Sequence, residues 1–89
     1  MLYRITYMGN YGTVYSMLQE VDDSEDPLFF LDEGVWEYPF KAFLQADELI
    51  KALFNSDVDP FGGESIIRVR VEEQSFEKFV DFINPTQIQ

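Results

Sequence analysis

The sequence contains no cysteine and no histidine. Without cysteine, the chain cannot form a disulfide, a zinc–thiolate site or a thiol nucleophile. Without histidine, it lacks the side chain that most often acts as a general base or binds a metal. An enzyme would have to work with carboxylates and hydroxyl groups in a deep cleft, which 89 residues can hardly build. We therefore expect a protein that is not an enzyme, with no cofactor and no metal site.

Positive charge is also scarce. Six Lys and Arg residues face 17 Asp and Glu residues, which gives a formal net charge of −11. Binding to nucleic acid or to an anionic membrane depends on Lys and Arg side chains that neutralise phosphates. Neither kind of binding is expected here. The excess of acid is larger than solubility requires and favours a basic protein as the partner.

Long apolar segments are missing as well. No segment approaches the ~20 apolar residues that span a bilayer, and residues 1–6 lack the basic region and apolar run of a secretory signal. We expect a cytoplasmic protein with one domain over residues 1–89 and a loose tail at 85–89. Aromatic residues make up 17% of the chain, more than so small a core needs, so some rings should lie at the surface.

The apolar pattern of the first half predicts β-structure. Residues 2–8 alternate as a strand does, the sequence Gly9-Asn10-Tyr11-Gly12 is typical of a turn, and residues 13–21 favour a second strand. An N-terminal hairpin follows, with a helix over 15–21 as the weaker alternative. Residues 28–31 and 35–38 suggest another hairpin that turns at Asp32-Glu33-Gly34.

The second half predicts two helices around a strand. One helix covers about 46–55 and could begin as early as Phe40. Residues 65–73 form a strand with Ile67, Val69 and Val71 on one face, and Ser75 caps a last helix that reaches Ile83. The fold class is α+β: a mostly antiparallel sheet of three to five strands with two amphipathic helices packed on one face. The order strand–helix–strand over 35–71 also allows one parallel pair with a right-handed crossover.

The acidic residues are concentrated in the N-terminal half. No Lys or Arg occurs between Ile5 and Phe40, a stretch with eight Asp and Glu residues and several Tyr and Trp residues. This stretch is either a solvated loop or an electrostatic face for a basic partner. Tyr and Trp beside carboxylates suit the recognition of Arg and Lys. The candidate partner-binding residues are Tyr11, Glu20, Asp22, Asp23, Glu25, Asp26, Asp32, Glu33, Trp36, Glu37 and Tyr38.

One further segment begins like a calcium loop. The sequence Asn55-Ser56-Asp57-Val58-Asp59 places oxygen ligands at alternate positions, but Pro60 stands where the loop requires Gly, and Ile66 stands at the twelfth position instead of Glu. The pattern therefore does not match a calcium loop, and a cation-binding protein is the third and weakest hypothesis for the chain.

Two functions fit these observations. Small, acidic, cysteine-poor α+β chains are similar in type to anti-CRISPR, anti-restriction and nuclease-immunity proteins, which cover the basic nucleic-acid groove of their targets. The first hypothesis is such an inhibitor, acting as a nucleic-acid mimic on a basic, nucleic-acid-binding enzyme or complex. The second is a small non-catalytic subunit or adaptor that binds through its aromatic residues and an exposed sheet edge. A homodimer formed through the same edge is a variant of the second hypothesis.

Overall fold

The described part of the chain forms six β-strands and two α-helices. The computed structural model describes residues 1–32, 36–55, 64–73 and 78–84, with the backbone alone at 32 and 36. Within these residues the strands and helices, in chain order, are β1 (Leu2–Gly9), β2 (Val14–Glu20), β3 (Leu28–Asp32), β4 (Trp36–Pro39), α1 (Phe40–Gln45), α2 (Asp47–Asn55), β5 (Ile66–Glu73) and β6 (Phe79–Ile83).

The predicted N-terminal hairpin is confirmed. β1 and β2 pair antiparallel from Leu2 with Glu20 to Met8 with Val14. The helix considered over 15–21 is wrong, because this segment pairs with β1 along its whole length. Gly12 closes the turn with a φ of +89°, a conformation that favours glycine. The Gly9 N–H donates to the Thr13 carbonyl at 2.8 Å, so the ladder continues into the turn.

Glu64 fixes this turn to the start of β5. Its carboxylate accepts the Tyr11 N–H at 2.6 Å, and the Asn10 N–H donates to the Ser65 carbonyl at 2.9 Å. The Thr13 hydroxyl is the main cause that lowers the pKa of Glu64. The carboxyl group lies so close to Gly9 that a Cβ atom there would overlap it. A side chain at position 9 would therefore push the Glu64 carboxylate out of its bond with the turn.

Four strands form one antiparallel sheet in the order β2-β1-β5-β6. The pairing of β1 with β5 shifts between Met8 and Gly9, where the partners pass from Arg68 to Ile66. Such a bulge reverses which side chains face the core. For this reason Ile66 is fully buried, and Ile67, which strict alternation places on the apolar face, is only half-buried.

The predicted last helix is wrong in its described part, because residues 79–83 form the edge strand β6. Over five residues the apolar pattern fits both structures: a helical stripe at Phe79, Val80 and Ile83, or a strand with Val80 and Phe82 on the core side. β5 decides between them, since its outer backbone groups need hydrogen-bond partners and β6 provides them. The predicted cap at Ser75 lies outside the described residues.

The second hairpin is also confirmed, since β3 and β4 pair antiparallel, with Phe29 opposite Tyr38. Its turn at 33–35 lies outside the described residues. Helix α2 matches the helix predicted for about 46–55. The possible earlier start at Phe40 corresponds to a separate helix, α1. Ala46 separates the two helices with an extended backbone (φ −138°, ψ 103°). The parallel pair considered for 35–71 does not form, because β4 pairs with β3, and β5 with β1 and β6.

The core lies between one face of the four-stranded sheet and the layer formed by β3, β4 and the helices, so the α+β prediction is correct. Phe29 is at its centre, with ring centroids 4.6 Å from Phe43 and 5.6 Å from Phe82. Ile5 and Val69 are fully buried on the sheet side. The opposite face of the sheet is covered by none of these elements.

Candidate partner-binding surface

The sheet topology gathers carboxylates at one end. β2 and β5 both run antiparallel to β1, so both end where β1 begins. Leu2 lies opposite Glu20, and Tyr3 lies opposite Glu73. The segment 21–27 leaves the sheet at the same end. We define the acidic end as the six carboxylates of Glu20, Asp22, Asp23, Glu25, Asp26 and Glu73.

Most of these carboxylates remain accessible. Glu20, Asp22, Asp23 and Glu25 are exposed, whereas Asp26 and Glu73 are half-buried. The terminal amine lies 3.3 Å from Glu20, whose side chain is 74% exposed, and the Lys41 Nζ lies 3.7 Å from Asp26. Ion pairs at this exposure contribute little stability. A cationic partner can therefore displace them at small cost.

The hydroxyl of Tyr3 lies where the negative charges of several of these acids combine. Burial is the main cause that raises the pKa of the Tyr3 hydroxyl, and the negative charges of Glu73, Asp26 and Asp23 raise it further. These carboxylates come from two segments that are about fifty residues apart in sequence. Their combined effect on one phenol places them around the same point at the start of β1.

Backbone contacts anchor the acidic segment to the core. The Gln19 side-chain amide donates to the Leu28 carbonyl at 2.7 Å and accepts the Leu28 N–H at 2.8 Å. Pro27 is buried, and its carbonyl accepts the Phe40 N–H at 2.8 Å. Inside the segment, the Glu25 N–H closes a turn on the Asp22 carbonyl at 2.9 Å. The acids are therefore presented by a fixed loop, which lowers the entropy lost on binding.

A groove of about 400 Å³ opens within the acidic end. Val21, Leu28 and Pro39 form its apolar wall, and Glu25 and Asp26 complete its lining. Long cationic side chains bury an aliphatic stem and keep the charged head at a polar rim. The groove combines both kinds of surface and matches an Arg or Lys side chain in chemistry.

The other predicted site residues lie elsewhere. Tyr11 is 83% exposed, as predicted for a turn residue, but it lies at the far end of the β1–β2 hairpin. Glu37 is exposed on β4, opposite Phe30. Tyr38 is half-buried, with its ring 6.1 Å from that of Phe43. Three predicted positions lack a described side chain: Asp32 and Trp36, whose backbones pair with each other, and Glu33, which lies outside the described residues.

The face of the sheet opposite the core, which no described helix or strand covers, forms a second surface that sequence reasoning did not single out. All three arginines of the chain lie on it, together with the carboxylates of Glu20, Glu72 and Asp81, so this face has no net charge although the chain has a net charge of −11. We call it the arginine face. Its central residues are Arg4, Thr6, Met8, Arg68, Arg70, Glu72 and Asp81, and its exposed apolar corners are Val14, Leu18, Phe79 and Ile83.

Charge-assisted hydrogen bonds order the centre of the arginine face. Asp81 accepts two bonds from Arg70 at 2.8 and 3.1 Å and one from Arg68 at 2.7 Å. The two bonds from Arg70, followed by the one from Arg68, lower the pKa of Asp81 to about 2. Arg4 donates to Glu72 at 2.8 Å and is the main cause that lowers the pKa of that carboxyl. The alternation of Arg68 and Arg70 along β5 was the sequence signal for this face.

Known proteins give no further guide to these surfaces. No protein-family model, curated protein or solved structure matches the chain. In the part of the chain that the structure describes, neither helix is long and apolar enough to cross a membrane. The same part contains no group of three or more Asp and Glu residues arranged to hold a metal ion. Most of the calcium-like segment at 55–59 lies outside the described residues.

Proposed function

We propose that the chain is an acidic inhibitor that binds a basic surface of a partner protein through its acidic end. The observation that carries the proposal is the groove at this end, where Glu25 and Asp26 border an apolar wall of Val21, Leu28 and Pro39. The arrangement is that of a binding site and requires no reaction. The proposal accordingly assigns no catalytic role, and it includes the cytoplasmic location expected from the sequence.

The electrostatics favour a partner that itself binds nucleic acid. The acidic end gathers six carboxylates in one small region, a concentration of negative charge similar to that of the phosphates of a nucleic acid. Because the chain has a net charge of −11, long-range electrostatic attraction would guide its acidic end toward a groove lined with Lys and Arg. The proposed class is therefore a nucleic-acid mimic of the anti-CRISPR, anti-restriction or nuclease-immunity type.

A matched pair of variants tests the acidic end. Asp23→Asn/Glu25→Gln removes two charges at the site, and Asp47→Asn/Glu48→Gln removes two exposed charges from the first turn of α2. An oligo-arginine peptide serves as the probe, followed by NMR. We expect the peptide to shift the resonances of residues 20–28 and Glu73. The affinity should fall steeply with salt and should be weaker in the first variant than in the second.

A test of nucleic-acid mimicry requires duplex DNA that competes with the chain for the partner. Purified nucleases that cleave duplex DNA are assayed with and without the chain. Inhibition that duplex DNA relieves, and that charge reversal at Asp22, Asp23, Glu25 and Asp26 abolishes, is the expected result. Equal loss of peptide binding in the two charge-matched variants would show that only the net charge acts, and the proposal of a site would fail.

A second candidate is a non-catalytic subunit or adaptor that binds through the sheet. The exposed Val14, Leu18, Phe79 and Ile83 side chains at the corners of the arginine face favour it. Salt should then have little effect on partner binding, and Leu18→Ala should reduce it more than Asp23→Asn/Glu25→Gln does. Tyr38→Ala is a poor test of this function, because the ring packs against Phe43 and its loss would weaken the core.

A further inference from the structure

The outer edge of β2 carries none of the features that protect a free strand from pairing. Natural edge strands are kept short, bulged, or supplied with Lys or Pro. β2 is seven residues long, pairs with β1 without a bulge and has no charge before Glu20. Val14 and Leu18 are 62% and 64% exposed on one side of it, and Tyr15 is 42% exposed on the other.

The hydrogen-bond pattern shows which backbone groups of β2 face outward. Residues in an antiparallel ladder alternate between pairs that exchange hydrogen bonds and pairs that do not. The Gly9 N–H donates to Thr13 and the Val21 N–H donates to Met1, so the odd-numbered residues of β2 bond to β1. The N–H and C=O groups of Val14, Ser16 and Leu18 therefore point away from β1. No described strand pairs with them.

We propose that a second copy of the chain pairs antiparallel with this edge, with the twofold axis at Ser16. Ser16 then lies opposite the partner's Ser16, and Val14 lies opposite the partner's Leu18. On the other side of the sheet, Tyr15 lies opposite the partner's Met17. Each of the three pairs formed by residues 14, 16 and 18 exchanges two backbone hydrogen bonds.

The register follows from matching apolar residues with one another. A shift by one hydrogen-bonded pair places Val14 opposite Glu20 and Ser16 opposite Leu18. The opposite shift places Leu18 opposite the turn residue Gly12. Both leave exposed apolar side chains without apolar neighbours, whereas the axis at Ser16 gives each one a cross-strand apolar partner.

The charge distribution favours a copy of the same chain as the occupant. Two molecules that each have a net charge of −11 repel each other wherever their carboxylates come close. Val14–Gln19 contains no charged residue, and on the adjoining arginine face the three arginines balance the three carboxylates. Two copies can therefore approach along this edge without opposing carboxylates. The pairing strand must be apolar on both faces, and β2 meets that condition itself.

A single engineered cysteine tests the position of the axis, since the chain has no other cysteine. Opposite Cα atoms in a hydrogen-bonded pair are ~5.5 Å apart, which lies within the range of a disulfide. Mild oxidation should convert most Ser16→Cys protein into a covalent dimer at low protein concentration. Ser24→Cys, exposed in the 21–27 segment, is the matched control and should remain monomeric. Equal cross-linking of the two variants would overturn the proposal.

Sedimentation and amide exchange test the dimer without a cross-link. We expect a monomer–dimer equilibrium in which the amides of Val14, Ser16 and Leu18 gain protection as concentration rises. Leu18→Lys should weaken dimerisation by roughly tenfold or more, and Leu44→Lys, an equally charged change on α1, should leave it intact. A chain that stays monomeric, with these amides unprotected at every concentration, would refute the proposal and leave the edge to a strand of another protein.

Salt separates this proposal from the proposed function. Screening of the acid–acid repulsion should strengthen the dimer, whereas it should weaken binding of a basic partner to the acidic end. Asp23→Asn/Glu25→Gln should therefore retain the dimer even if it loses the oligo-arginine peptide. Either proposal can fail while the other stands.

Discussion

Tyr7 offers a direct test of the core, because its hydroxyl is buried and forms no hydrogen bond of ordinary geometry with the described residues. The residue is 2% exposed at the centre of β1. Burial raises the pKa of the hydroxyl to about 12, and a weak, poorly aligned hydrogen bond with the Phe30 backbone opposes part of this shift. Tyr7→Phe removes the oxygen and keeps the ring that fills the core.

The burial of the Tyr7 hydroxyl sets the size of two effects on the free energy of unfolding. At neutral pH, a buried polar group without a partner costs about 1–3 kcal/mol, so Tyr7→Phe should raise the free energy of unfolding by about 1 kcal/mol. Above pH 10 the unfolded chain releases the Tyr7 proton and the folded chain retains it until about pH 12. The folded state then binds more protons, so stability falls as pH rises. Linkage gives a loss of about 1.4 kcal/mol at pH 11.

Urea unfolding of the wild type, Tyr7→Phe and Tyr15→Phe between pH 8 and pH 11 measures both effects. The difference in unfolding free energy between the wild type and Tyr7→Phe should widen over this range. Tyr15→Phe removes a more exposed hydroxyl opposite Tyr7, whose negative charge adds to the Tyr7 shift, so it should lose only slightly less stability than the wild type as pH rises. A difference that is constant with pH, or a Tyr7→Phe protein less stable than the wild type at neutral pH, would show that the hydroxyl has a partner.

Three further predictions concern the sheet and the core. Asp81→Asn should remove the part of the acid destabilisation that occurs as pH falls from about 4 toward 2, since the folded pKa of Asp81 is about 2. Solvent screening at the partly exposed arginines limits this difference in unfolding free energy to about 1 kcal/mol. If the unfolding free energies of Asp81→Asn and the wild type fall by the same amount over this pH range, the prediction is wrong. Gly9→Ala should destabilise the hairpin turn through its clash with Glu64, and Glu64→Ala should restore part of the loss in thermal melts. Phe43→Ala should cost about 3–5 kcal/mol in urea unfolding, whereas Leu44→Ala, exposed on the same helix, should be nearly neutral.

The predictable part of the fold rests on local signals. Alternation along residues 2–8, followed by a glycine-containing turn, specified the first hairpin because both features act over a few neighbouring residues. The second hairpin and α2 had equally local patterns. The bulge that buries Ile66 left no such signal, since it arises from the pairing of β5 with β1 across more than fifty residues.

The last element was mispredicted for a related reason. A five-residue segment with apolar residues at 79, 80, 82 and 83 satisfies both a helical stripe and a strand. What selects the strand is the free side of β5 and the bonds from Arg68 and Arg70 to Asp81. Those groups are distant in sequence, and no window along the chain contains them all.

The acidic end and the arginine face also differ in how far the sequence predicts them. Five acids within residues 20–26 made this part of the acidic end predictable. Glu73 was missed, because it joins that part only through the antiparallel order of β1 and β5. The arginine face also depends on pairing: Arg4 comes from β1, and Arg68 and Arg70 come from β5. Only the sheet brings three of the six cations of the chain onto one face.

The proposed dimer would unite residues that the single chain keeps apart. With the axis at Ser16, Tyr11 of one copy lies level with the partner's Val21, beside the acidic end. The aromatic and acidic components of the predicted surface would then meet across the dimer. In the wild type, Tyr11→Ala should weaken binding of the oligo-arginine peptide, because the phenol adds a cation–π contact. In Leu18→Lys, which separates the copies, the same substitution should have no effect. An equal loss in both backgrounds, measured by calorimetry as a double-mutant cycle, would place Tyr11 outside such a composite site.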